Sequence, residues 1–275
     1  MLEHFVLTRF NIATPGREMA IRNSPGWLAR RFDLFERYCL PSMAAQNAEG
    51  FTWLIYFDEA TPDEFRRRIK AAQIVTPFVP HFVRVREMSQ VAGDIAALLQ
   101  PGTRRVVTTR LDNDDAISQD YLAQVRIAAD DAGDGTVINF RHGVALRAGR
   151  VYGAADDSNP FASLVEKVDD LRTIWSVPHH LLSKTFSVKQ VNTKPLWLQV
   201  VHGDNVTNRI KGKRLGSAKV LASFNMRPST PLVRSDRGAI LLDRLVFYPL
   251  RSLRELIITT LKPVRVLIRG DSLRS

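Results

Sequence analysis

The stretch VVTTRLDNDDAIS, residues 106–118, decides how this chain is read. From Val106 to Leu111 the residues are β-branched or apolar around a single arginine and favour a pleated strand. The run stops at Asp112, Asn113, Asp114 and Asp115, types that disfavour one. A strand therefore ends in a carboxylate cluster. Like charges packed so closely repel, so the cluster is either fully solvated or neutralised by something positive, such as a metal ion.

Working outward, the flanking segments alternate between strand and helix signals. FVLTRF (Phe5 to Phe10) reads as a strand. Ser24 as N-cap and Pro25 at the first helical position predict a helix whose buried face is Trp27, Leu28, Phe32, Phe35 and Cys39. FTWLIYF (Phe51 to Phe57) predicts a second strand, Thr61, Pro62 and Glu64 a second helix start, and HFVRVREM a third strand before a short helix around Asp94 to Leu99. This rhythm predicts an α/β fold with a mostly parallel sheet flanked by helices. In such sheets ligands bind at the carboxyl ends of the strands, where Asp58 and the Asp112–Asp115 cluster both fall, so they are expected to face a common crevice. DAISQDYLAQVRIAADDAG then predicts an Asp-capped helix. Beyond residue 135, TVINF, GVALRAG and RVYG predict short antiparallel hairpin strands, and DDSNPFASLVEKVDDLRTIW a helix beginning at Pro160.

At 275 residues with 45% hydrophobic content, the chain can bury a sizeable core and fits one large domain or one domain with an appendage. Its single cysteine, Cys39, excludes an intramolecular disulfide. The opening MLEHFVLTRF lacks a basic segment followed by a long apolar one, so it reads as a first strand and not a signal peptide, and the expected place of work is the cytoplasm. A formal charge of +11 calls for an anionic partner: nucleic acid, a phospholipid surface or a phosphorylated substrate. The basic residues are dispersed and no helix-turn-helix, zinc-finger or RNA-binding aromatic signature is present, which argues against nucleic acid.

An Asp-x-Asp pair at the end of a buried strand suits a hard ion, Mn²⁺ or Mg²⁺, that bridges carboxylates and a diphosphate. A second polar island, WLQVVHGDNVTN (197–208), repeats the pattern of a strand ending at polar residues; His202 reads either as a metal ligand or as a hydrogen-bonded structural residue. It is followed by KGKRL, whose Lys211, Lys213 and Arg214 suit phosphates. His179 and His180 read as a structural loop pair or, for one of them, as a contact to the acceptor.

In that order, RFDLFERYCLPSMAAQ, FTWLIYFDEATP, TTRLDNDDAIS and WLQVVHGDN resemble a bacterial family of rhamnosyltransferases over about residues 4–228. The resemblance implies a GT-A-like (Rossmann-like) fold and transfer of a sugar from a nucleotide-diphosphate donor to a hydroxyl of a glycan or lipid-linked acceptor. It implies Asp112 and Asp114 as the Asp-x-Asp pair, His202 as a further metal ligand, Thr8 and Arg9 at the nucleotide end of the first strand, and Asp58 and Arg110 bordering the donor. For the ion, Asp114 is the first choice, with Asp112 on the ribose or the metal and Asp115 the alternative one residue on. An inverting reaction also needs a carboxylate base; of Glu166, Asp169 and Asp170 we expect Glu166, placed in the first turns of the helix predicted at Pro160. A metal-dependent phosphatase or nucleotidyltransferase would use clustered aspartates as well.

The sequence divides into a catalytic domain, 1–233, and a basic tail, 234–275. In the tail Leu250, Leu253, Ile257, Leu261, Val264 and Ile268 form a helical stripe amid Arg251, Arg254, Lys262, Arg265 and Arg269, with Pro263 expected to kink it. The stripe reads either as a core face or as an interfacial helix on an anionic membrane.

Overall fold

The computed structural model describes residues 1–12, 17–84, 88–203, 209–216, 220–228, 230–233, 237–255 and 257. Leu2–Arg9 (β1), Phe51–Asp58 (β2), Val79–Val83 (β3) and Arg105–Arg110 (β4) are the four strands expected in the first half. With Thr136–Phe140 (β6), Ser163–Lys167 (β9) and Ser187–Val191 (β10) they make a seven-stranded sheet in the order β10-β6-β9-β4-β1-β2-β3. All its pairings are parallel except those of β9, which runs antiparallel to β4 and β6. The chain leaves β1 for β2 and β3 on one side, then returns to β4 on the other. That reversal opens a crevice at the carboxyl ends of β1 and β4.

Alternation along the strands supplies both layers. Val6, Trp53, Ile55 and Val107 face one side, against Phe32 and Phe35, Ile69 of α4 (Asp63–Val75) and Tyr121 and Val125 of α6 (Tyr121–Asp130). Phe5, Leu7, Leu54, Tyr56 and Val106 face the other, against Val91 and Ile95 of α5 (Met88–Ala96), Trp175, and Leu182 of α7 (Leu182–Thr185). α5 begins six residues before the helix expected at Asp94.

A second sheet stands beside the crevice. Ala116–Ile117 (β5), His142–Arg147 (β7), Arg150–Ala155 (β8) and Trp197–Val200 (β11) pair in the order β5-β11-β7-β8. The β7–β8 hairpin turns through Ala148 (φ 46°) and Gly149 (φ 71°), the left-handed pair that suits the twist of a two-residue turn. Across β7 and β11, a Cβ on Gly143 would lie 2.0 Å from the Trp197 ring, so only glycine admits the indole there.

Further sequence expectations change. Ser24 does not open the first long helix: its Oγ donates to the Ile21 carbonyl, closing α1 (Arg17–Arg22), and Trp27–Leu34 (α2) starts after Gly26. The expected face is nonetheless buried at Trp27, Phe32, Phe35 and Cys39. α6 has no Asp cap on its N–H groups; Asp120 instead accepts from Ser118 Oγ at 2.8 Å and pairs with Lys194 at 2.7 Å. The segment at Pro160 forms no helix. Asn159 accepts the Phe161 N–H and donates to the Phe140 carbonyl, an Asx turn that sends the chain straight into β9. Asn-Pro marks a turn as readily as a helix start, and Leu164 and Val165, on opposite faces, fill both core layers.

α2 passes through a π turn, Phe35–Cys39, into α3 (Leu40–Ala44), and Arg237–Leu242 (α8) passes through another, Asp243–Phe247, into helical residues 248–255. Each π turn ends two residues before a proline, Pro41 or Pro249. Proline brings no N–H and crowds the carbonyl four residues back, which widens the preceding turn. Leu261, Pro263, Val264 and Ile268 of the predicted stripe lie outside the described residues. Among the described residues no helix is long and apolar enough to cross a membrane.

Candidate active site

At the end of β4 the four residues Asp112–Asp115 are sorted by their partners. Asn113 turns inward: its Nδ2 donates to the carbonyls of Arg9 at 2.9 Å and Phe10 at 2.8 Å, stitching the turn onto the end of β1. Asp115 also turns inward, 2% exposed, and its Oδ1 accepts the Val200 N–H at 2.8 Å, tying the turn to β11. Burial, and then the neighbouring Asp114 and Asp112, push its carboxyl well above the usual range. Asp115 is thus tied to β11 by one carboxylate oxygen, which makes it the less suited of the alternatives for an ion.

Asp112 and Asp114 are the pair left facing the crevice. Asp112 takes both oxygens to Arg110, Nη2 at 3.0 Å and Nε at 3.2 Å. Arg110 Nη1 lies 3.5 Å from His179 Nδ1. Burial lowers the pKa of His179, and the Arg110 charge lowers it further. Asp114 Oδ2 meets Arg31 Nη1 at 2.6 Å and His202 Nε2 at 2.9 Å. Burial alone would raise Asp114; the Arg31 guanidinium, helped by the His202 hydrogen bond, outweighs it and holds the carboxyl down to about 2. On the neighbouring strand end, Asp58 pairs with Arg22 and accepts the Ala60 N–H at 2.9 Å. Three aspartates thus meet three arginines around one crevice.

Other sequence-derived candidates lie elsewhere. Thr8 is fully buried and its hydroxyl accepts from Trp53 Nε1 at 2.9 Å, so it packs within the sheet and does not reach the crevice. Arg9 ends β1, next to the turn. Lys213 sits over the Tyr248 ring at 5.1 Å, and buried Arg214 donates its N–H to Asp243 at 2.9 Å, so both pack against the C-terminal helix. Lys211 is exposed in the same segment. Asp204 and Asn205 lie outside the described residues.

Glu166 requires the clearest correction. It lies on β9 opposite Val106, at the amino end of β4, a strand's length from Asp112. Its carboxylate accepts the N–H groups of Thr173 at 2.9 Å and Arg172 at 3.2 Å. A base for an acceptor held at the acidic pair cannot act from there. A cavity of about 700 Å³ does open on that side, lined in part by Glu166, Asp169 and Asp170. A smaller one, about 200 Å³, lies beside His202 and is lined by Tyr38, Leu146 and Val200. Size does not choose between them: the smaller has His202, the partner of Asp114, in its wall, and the larger lies at the opposite end of β4.

Sequence reasoning missed Arg22, Arg31, Asn113 and the contact of His179. Arg31 left a signal. It lies four residues after Trp27 and four before Phe35, so a charge occupies the apolar stripe of its helix, which happens where a partner waits.

Among the described residues no three His, Cys, Asp or Glu side chains converge as a ready-made metal set. Asp114 and His202 still offer an oxygen and a nitrogen on one point, donors suited to Mn²⁺ or Mg²⁺ when substrate phosphates and water complete the shell.

No curated protein matches the chain. Among solved structures, S. aureus TarS 1–349 in complex with UDP is 11% identical with a TM-score of 0.45, covering 72% of this chain and 60% of that one. Mouse xyloside xylosyltransferase 1 is 10% identical with a TM-score of 0.32, covering 66% and 72%. The inositol-1-phosphate CTP transferase of T. maritima is 9% identical with a TM-score of 0.35, covering 72% and 89%. The chain thus spans about 60% of the TarS 1–349 length. The sequence match is more direct: residues 3–214, from the start of β1 through the segment after His202, fit one family, and the chain belongs to that described as "Putative rhamnosyl transferase".

Proposed function

We propose that the crevice between β1 and β4 binds a nucleotide-diphosphate sugar and that the chain, as a GT-A-like glycosyltransferase, moves the sugar to a hydroxyl of a glycan or lipid-linked acceptor. The observation that carries this reading is the sorting of the Asp112–Asp115 turn: two residues hold the scaffold, while Asp112 faces Arg110 and Asp114 faces Arg31 and His202 at the switch point. Asp114 and His202 would hold Mn²⁺ or Mg²⁺, which when bound supplies positive charge to the diphosphate leaving group. Arg31 keeps Asp114 ionised and Arg110 holds Asp112 in place, and their guanidinium forks present N–H groups matched to phosphate oxygens. Asp58 at the end of β2 and its partner Arg22 from α1 would border the same donor. The pocket beside His202, walled by Tyr38 and Leu146, would take the sugar next to the ion.

The test is a thermal-shift panel of nucleotide-diphosphate sugars and simple phosphate esters, with and without Mn²⁺, followed by transfer assays on the donors that bind. A ligand at a hundred times its Kd should stabilise the fold by about 2.7 kcal/mol. Stabilisation by a nucleotide sugar only when Mn²⁺ is present is the expected result. A response to phosphate esters alone would favour a metal-dependent phosphatase instead.

A further inference from the structure

Away from the crevice, the C-terminal helix has two opposed faces. The inner one is polar and fastened to the body: Asp243, 4% exposed, accepts the Arg214 N–H and both arms of Arg251, at 2.9 and 2.8 Å, and Arg251 also donates to the Gly212 carbonyl at 3.0 Å. Glu255 pairs with Arg209 at 3.6 Å. The outer face is apolar. Leu242, Val246, Leu250, Leu253 and Ile257 recur at steps of four, four, three and four, and with Leu245 all are 43–68% exposed. A helix normally buries its apolar face, and this one is held to the protein by its charges.

The exposed charges are sorted as well. Both acids of the described helix, Asp243 and Glu255, are turned to the body, whereas Arg237, Arg244 and Arg254 are exposed. An apolar face accompanied only by basic exposed charges complements an anionic lipid surface, where leucines enter the acyl boundary and arginines meet the headgroups. We propose that this helix lies flat on an anionic bilayer, with Leu245 and Leu250 inserted. The docking stands on the helix alone, whatever reaction the crevice runs.

Flotation of the full chain with phosphatidylcholine vesicles, with and without phosphatidylglycerol, tests it. The chain should float with the anionic vesicles at low salt, stay down with the neutral ones, and bind less as salt rises. Replacing Leu245 and Leu250 together by Glu should abolish flotation without changing the circular dichroism spectrum. Arg244→Ala and Arg254→Ala should each weaken binding about five-fold. A chain that ignores anionic vesicles at low salt, or whose flotation survives the double leucine variant, overturns the proposal. So does a wild-type dimer that the same variant splits into monomers without any lipid binding, which would assign the face to a second copy.

Discussion

The two ends of the central strands treat ionisable side chains in opposite ways. Toward the amino ends, charge is suppressed. His4, paired to Thr109 Oγ1 at 2.7 Å, is driven by burial from 6.5 down to about 3, and burial raises the Glu166 carboxyl while backbone N–H groups cradle it. At the carboxyl ends, carboxylates are paired with arginines. Asp112, Asp114 and Asp58 each face an arginine, and Asp114 is held down to about 2. The exception at that end, Asp115, is the one turned inward onto β11. Acids that close the scaffold are bonded chiefly by fixed backbone groups, with Arg172 Nε 3.4 Å from Glu166 besides; Asp112 and Asp114 are bonded by long side chains able to exchange partners for a ligand. That contrast, more than burial or cavity size, favours the carboxyl ends as the site.

Acid titration should show the largest effect. The folded chain keeps His4 neutral, while the unfolded chain takes up a proton below 6.5, so the unfolded state binds more protons between about 3 and 6.5. Stability therefore rises with pH across that window and is lost on acidification, by as much as about 5 kcal/mol at about 1.4 kcal/mol per tenfold. Asp114, lowered from 3.8 to about 2, adds a further loss below 3.8. Urea unfolding as a function of pH should show the slope, and His4→Gln should flatten it above pH 4; an unchanged slope in that variant would place the acid sensitivity elsewhere.

A reciprocal pair of substitutions comes next. Asp114→Asn should lower turnover by about 10²–10³-fold, about 3–4 kcal/mol, while the chain still folds, with a melting temperature lowered by the loss of the Arg31 ion pair. Glu166→Gln should cost stability alone: an amide N–H₂ set against the Thr173 and Arg172 N–H groups costs about 1–3 kcal/mol and leaves turnover nearly intact. If Glu166→Gln were stable and inactive, the division between the ends would fail.

Arg31→Ala should weaken binding of nucleoside diphosphates by about ten-fold in calorimetric titrations, since one charge-assisted donor is worth about 1.5–3 kcal/mol and water replaces part of it. The smallest effect belongs to Lys213→Ala. Its ammonium stacks on Tyr248, so we expect a loss of about 0.5–1 kcal/mol in stability and no change in nucleotide affinity.

The parallel half of the fold was legible because strand and helix periods agree with their flanking turns there, and the switch point placed Asp58 and Asp112–Asp114 without any coordinates. Asn-Pro at 159–160 misled because its turn chemistry serves both a helix start and the Asx turn found. The fault carried Glu166 onto a helix and toward the wrong end of the sheet. Lys213 and Arg214 misled differently: a basic loop reads alike whether it meets phosphates or a helix 30 residues later, and only the docking of Asp243 decides. Arg31 could have been found, since it interrupts an apolar stripe. Arg22 could not, because nothing local distinguishes it from the solvated arginines around it.

The central claim is that the donor and its ion bind at the carboxyl ends of β1 and β4. Titration of Mn²⁺, followed by electron paramagnetic resonance in the presence of a stabilising nucleotide-diphosphate sugar, tests it most directly. Wild type and Glu166→Gln should each bind one ion with the same affinity, and Asp114→Asn should bind none at matched concentration. Ion binding that survives Asp114→Asn and disappears with Glu166→Gln would contradict the account.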